Sequence, residues 1–244
     1  MEDVKQDYDI SGIFAEAGAK YGYDDVEAEY ADFDELKMKW MRHGTWARFF
    51  VSDFMRDAPE EVMRSMAETL LAKICCSAET EYSEAVCRWL TAEDFVRSKQ
   101  PVYLSKREGM VSGSEGRFKD LRGSYRRLVE SGMLKDDPML FIGWDYGYPD
   151  RGAGRASVLM RVVGVSPELD SESLSDDALD YALYSLALHV SLGFAPCRRS
   201  RETDYEEIMG RYPGRDAMVE ELAERGISCR GVPRALTRRI TVRR

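Results

Sequence analysis

Ser185 and His189 stand four residues apart in the run ALDYALYSLALHVSL, residues 178–192. On an α-helix this spacing puts a hydroxyl and an imidazole on one face, one turn apart. Tyr181 lies one turn earlier on the same stripe. Two kinds of chemistry use such a pair. A histidine can activate a serine as a nucleophile when a third group orients the ring. Two helical imidazoles at this spacing hold zinc in the H-E-x-x-H arrangement, with the glutamate as general base. Here the five residues read Ser-Leu-Ala-Leu-His, so one imidazole of the pair is present and the glutamate is not. No third residue that would orient His189 is evident. Cys197, Glu202, Asp204, Glu206 and Glu207 follow closely, and a His/Cys/carboxylate metal site is the chemistry they could offer. Their spacing matches no recognised ligand set, and acidic residues on a helix are ordinarily solvated. A histidine on so apolar a helix is most simply a core residue, hydrogen-bonded to Ser185 or a backbone carbonyl.

Other reactive groups are scarce. The chain has two histidines, and His43 falls in a hairpin turn, where no metal role is expected. Its five cysteines, Cys75, Cys76, Cys87, Cys197 and Cys229, form no C-x-x-C pair. An odd number of thiols, three of them in helical segments, argues against a disulfide framework and against a zinc finger. No glycine-rich phosphate loop and no G-x-S-x-G elbow occurs in a usable context, which leaves nucleotide-dependent and α/β-hydrolase chemistry without support.

The elements that must position these groups are partly readable. Residues 36–41 and 46–54 alternate around His43-Gly44-Thr45 and predict a β-hairpin. Asp57-Ala-Pro-Glu60 starts a helix that runs to about Ile74, with Val62, Met66, Leu70 and Ile74 on one face. One or two short helices follow over 80–98, and residues 100–117 read as a loop. A helix from about Phe118 to Gly132 precedes a strand over 139–144, a turn over 147–154 and a second strand over 157–165. The apolar helix opens at Ser175 and ends at Gly193, and two further helical segments fit 202–211 and 214–226. Strand pairs separated by runs of helix predict an α+β fold, not alternating βαβ.

The run LMRVVGVSPELDSESLSDDALDYALYSLALHVSLGF resembles the core of the SprT-like or minigluzincin metallopeptidases. In that family a strand ending in a Ser-Pro turn leads into a zinc-binding helix and a glycine, and a later helix brings a third histidine and a glutamate. Tyr205, Arg211 and Pro213 match landmarks of that later segment. The resemblance covers about residues 155–226, and residues 37–74 resemble the hairpin and first helix in relatives of the group. It implies a zincin-like α+β fold, a small mixed sheet packed against a buried former active-site helix. Residue by residue, Ser185 stands for the first zinc histidine, Leu186 for the general base, Arg201 for the third ligand and Met209 for the following glutamate. Only His189 is retained. A catalytic zinc needs three protein ligands and an open position, so the resemblance implies a degenerate, catalytically silent homologue without catalytic, cofactor-binding or zinc residues. The alternative is a metal-dependent hydrolase with an unconventional zinc site around His189. A surviving scaffold without chemistry suggests binding, with a peptide or protein added beside the strand Ser157–Val165, or a structural role.

Of the 244 residues, 44% are hydrophobic and 32% charged, and no apolar run is long enough for a membrane span. A cytoplasmic protein without membrane contact is the expectation. The net charge of −9 is uneven. Residues 1–35 hold 12 acidic residues against two lysines, whereas residues 230–244 hold six arginines and no acid. Residues 1–32 therefore read as an acidic head, disordered or with one short helix near Ile10–Tyr21. Residues 33–226 read as the zincin-like domain and 227–244 as an arginine-rich tail. Arg230, Arg234, Arg238, Arg239, Arg243 and Arg244 are candidate nucleic-acid contacts, the second alternative function, although no aromatics interleave them for base stacking. Docking of the head against the tail is a third use of the same charges.

Overall fold

A computed structural model describes residues 8–76, 81–110, 113–147, 152–194, 198–229 and 237–239. In chain order its first elements are α1 (Ile10–Ala19), β1 (Asp25–Ala31), β2 (Met38–His43), β3 (Trp46–Ser52), α2 (Glu60–Cys76), α3 (Glu84–Thr91) and α4 (Glu93–Ser105). Then come α5 (Leu121–Glu130), β4 (Phe141–Trp144), β5 (Gly154–Ser157), β6 (Val162–Val165), α6 (Asp176–Ser191), α7 (Arg198–Gly210), α8 (Arg215–Glu224) and β7 (Thr237–Arg239). The fold is mixed α and β, in keeping with the α+β expectation. No helix of the described residues is long and apolar enough to cross a membrane.

The chain divides into two compact units, residues 1–95 with 234–244 and residues 96–233. The sequence reading took 33–226 together and set residues 1–32 apart. Instead, residues 10–31 are built into the first unit as a helix and a strand.

In the first unit the sheet order is β1-β3-β2-β7. The predicted hairpin is β2 and β3, antiparallel with His43 opposite Trp46, while β1 runs parallel to β3 from Asp25↔Trp46 to Ala31↔Ser52. Strand alternation sends Val26, Ala28, Ala47, Phe49 and Val51 into the core, where Phe14 of α1 meets Phe49 at 4.8 Å between ring centroids. Of the predicted face of α2, Val62, Met66 and Leu70 are buried and Ile74 is half-buried. The first helical bond of α2 is donated by Met63 N–H to the Pro59 carbonyl, so the proline directly precedes the helix. Ser11 Oγ accepts the Ala28 N–H at 3.1 Å, which occupies one outward amide of the edge strand β1.

In the second unit the sheet order is β4-β6-β5, with β4 parallel and β5 antiparallel to β6. The single strand expected over 157–165 is two strands. Residues 158–161 turn between them, with Arg161 at φ 47°. All four residues of β6, Val-Val-Gly-Val, are buried, as befits a strand covered on both faces. Gly154 permits the close approach to β6, because a β-carbon there would lie 2.1 Å from the Gly164 carbonyl oxygen. The expected loop over 100–117 begins later than predicted. The helix α4 continues through Pro101 to Ser105, and Gln100 Nε2 donates to the carbonyls of Met139, Met160 and Arg161 at 2.8–3.1 Å.

Candidate functional site

The candidate site is built on α6. Ser175 caps the helix by accepting the Ala178 N–H at 3.1 Å, and Asp176 and Asp177 occupy the first turn. Gly193, at φ 71°, follows the last turn. From α8, Glu221 accepts from the Ser175 N–H (2.7 Å) and Oγ–H (2.6 Å), which ties the helix start to its neighbour. Every residue from Ala178 to Val190 is buried. The one carboxylate among them, Asp180, accepts a bidentate pair from Arg127 (Nε 2.7 Å, Nη2 2.6 Å) and a bond from Ser124 Oγ at 2.5 Å.

The positions implied by the resemblance are occupied by packed side chains. Ser185 is 0% exposed and its hydroxyl donates to the Ala182 carbonyl at 2.7 Å, inside its own helix. His189 is 5% exposed, and its ring stacks on Tyr205 of α7 at 3.9 Å between centroids and 6° between planes. The Tyr205 hydroxyl donates to the Ser185 carbonyl at 3.1 Å, and burial holds that phenol well above its usual range. Leu186 turns toward the sheet: a β-carbon on Gly154 would meet its Cδ1 at 3.0 Å. Met209 is buried in the same core. Partly buried Cys229 neighbours this cluster, and burial pushes its thiol up to about 12.

These residues do not fit zinc. The positions named by the resemblance supply one imidazole, a hydroxyl already bonded within its helix, an aliphatic side chain and a thioether. Arg201 lies on α7, and its side chain, like the whole of Cys197, falls outside the described ones. Glu202, Asp204, Glu206 and Glu207 are exposed on α7, whereas Tyr205 between them turns inward to His189. A nucleophilic Ser185 fares no better, since its proton goes to the Ala182 carbonyl.

The strand beside which a peptide was expected is not an edge. Its second half, β6, is flanked by β4 and β5, which leaves no open strand edge there for an added peptide. Of the arginine tail, Arg238 and Arg239 lie in β7, paired in register with Lys39 and Trp40 of β2. Arg230, Arg234, Arg243 and Arg244 lie outside the described residues. His43 ends β2 and is exposed.

Sequence reasoning missed a cleft of about 420 Å³ lined by Gly113, Ser114, Glu115, Arg122, Tyr125, Leu140 and Ile142. The signal was present as Arg122 and Tyr125 three apart on α5, and Leu140 and Ile142 two apart at the start of β4. No family model matches the chain, and neither a curated protein nor a solved structure matches it.

Proposed function

We propose that the chain is a catalytically silent homologue of the SprT-like zinc metallopeptidases, serving as a binding or structural protein. The layout of the second unit supports this: a small mixed sheet, a Ser166-Pro167 turn after its central strand, and a buried helix closed by glycine. The observation that carries the reading is the filling of the former catalytic face. Ser185, Leu186, His189 and Met209 are each 5% exposed or less, and zinc hydrolysis needs an open coordination position that a substrate can reach. The imidazole that remains is used for packing against Tyr205.

Elemental analysis of the untagged protein tests it. Zinc far below one per chain, unchanged by His189→Ala, is expected. One zinc per chain that disappears in His189→Ala would establish the rival reading, a hydrolase with an unconventional metal site.

A further inference from the structure

We infer that the outer face of the first unit's sheet docks a second copy of this chain, in a two-fold dimer that lays the acidic strand β1 over the basic strand β7 of the other copy. The inference goes beyond the reading above and uses no residue of the second unit.

The inner side of the sheet holds Val26, Ala28, Ala47, Phe49 and Val51, all buried, with Phe14 of α1 against Phe49. Strand alternation sends the residues between them to the opposite side. On β1 these are Asp25, Glu27 and Glu29, all exposed. On β3 they are Trp46, Arg48 and Phe50, all half-buried. The register sets His43, Met41 and Lys39 of β2 beside Trp46, Arg48 and Phe50 in that order. The middle of this face therefore carries Trp, Phe, Met and Arg, the side chains enriched at the centres of protein interfaces.

Charge crosses the face from edge to edge. The strand order β1-β3-β2-β7 begins at three carboxylates and ends at the sequence Thr-Arg-Arg. One row across all four strands reads Glu29, Phe50, Lys39, Arg238. A two-fold axis lying between two such faces has two simple directions. Across the strands, it sets β1 over β1 and opposes acid to acid. Along the strands, it exchanges the edges, so that β1 lies over β7 and β3 over β2. Glu29 then meets Arg238 of the second copy, Phe50 meets its Lys39, Arg48 its Met41 and Trp46 its His43. None of these pairs opposes like charges, one sets a cation on an aromatic ring, and symmetry makes each twice. Arg48 brings its own counter-charges, Glu27 at 3.5 Å and Glu29 at 3.1 Å, and lies over the Phe50 ring at 5.5 Å. A single-stranded nucleic acid could use the same aromatic rings, but the three carboxylates of β1 would repel its phosphates.

The face is small. Four strands about 4.8 Å apart, with about 3.3 Å per residue, cover roughly 20 Å by 20 Å, less than the roughly 800 Å² per partner of a standard stable interface. The dimer is accordingly weak and forms with rising concentration.

Sedimentation of the full chain at low salt, from about 5 to 500 μM, tests this. A reversible monomer–dimer equilibrium within that range is expected. Glu29→Lys and Arg238→Glu should each weaken it about ten-fold, because each sets like charges over one another. An equimolar mixture of the two variants should regain the parental association, because opposite charges then face again. Amide protection at residues 38–40 in each variant checks that β7 is still paired. Phe50→Ala should weaken association about ten-fold with no change of charge, and it decides the matter even where a charge variant loses that strand. The inference is overturned by a parent that stays monomeric throughout, by undiminished association in Phe50→Ala or in a folded charge variant, or by a mixture no more associated than its components. A monomeric parent that binds a single-stranded oligonucleotide, and loses it in Phe50→Ala, would give the face to nucleic acid instead. None of these outcomes bears on the zinc measurement, so the two readings fall separately.

Discussion

The His189 ring lies flat against Tyr205, whose hydroxyl in turn reaches the Ser185 carbonyl one turn back. The two side chains therefore act as a clamp between α6 and α7. His189→Ala would open a cavity and remove the stack, a loss of about 2–3 kcal/mol in denaturant unfolding, while His189→Phe should recover a good part. Stability equal to the parent in His189→Ala would show that the stack carries no weight. The neighbouring thiol makes a second prediction. Cys229 is held neutral up to about 12, against an ordinary value of 9.0. Between these two values the unfolded chain gives up a proton that the folded chain keeps. The unfolded state then binds fewer protons, and stability must fall as pH rises through that window. Tyr212, pushed from 10.0 to about 12 by burial, adds to the same trend at its upper end. Unfolding measured from pH 8 upward should show this decline, and a shallower slope in Cys229→Ala. An identical slope in that variant would remove the thiol from the account.

Between elements, α5 and α6 are joined by the Arg127–Asp180 pair with Ser124. Asp180 is nearly enclosed while Arg127 is about half exposed, so the aspartate depends on the arginine more than the reverse. Arg127→Met should cost about 2–3 kcal/mol, because it strands a buried carboxylate. Adding Asp180→Leu should restore much of that loss, since an apolar pair has no charge to desolvate. A double variant no more stable than Arg127→Met contradicts this account. Legibility followed the same physics. The β2–β3 hairpin, α2 and α6 were readable because alternation, a proline at the helix start and the Ser175 and Gly193 caps all agree. β1 was missed because its inward positions are only Val26 and Ala28 between Asp25, Glu27 and Glu29, too little apolar surface to be recognised until β3 lies beside it. Residues 157–165 read as one apolar run, and nothing local announced the turn at Arg161, which has a positive φ without being glycine. His189 was legible as a core residue, but its partner Tyr205 comes from another helix, and the cleft at Ile142 exists only once α5 and β4 are brought together.

Across the molecule, the uneven charge acquires a structural meaning in the first unit. The acidic stretch is not an appendage: Asp25, Glu27 and Glu29 are the solvent side of β1, and Arg48 on β3 reaches Glu27 at 3.5 Å and Glu29 at 3.1 Å. The arginine-rich stretch enters the same sheet from its other edge, as β7 against β2. Among the described residues, head and tail thus share the backbone of one sheet, with β3 and β2 between them. A variant lacking residues 230–244 changes net charge from −9 to −15 by losing six arginines, and also bares the β2 edge at Met38–Trp40. If the tail acts through its backbone, amide exchange should quicken at residues 38–40 and unfolding of the first unit should weaken by about 1–2 kcal/mol. Both changes should persist at high salt, because main-chain bonds are not screened as surface charges are. Replacing Arg238 and Arg239 with glutamine in the full chain should then leave the exchange at 38–40 nearly unchanged. Fast exchange in that glutamine variant, or loss of protection on adding salt to the parent, would mean that charge and not strand pairing holds the tail, and would return the arginines to the pool of groups free to meet nucleic acid.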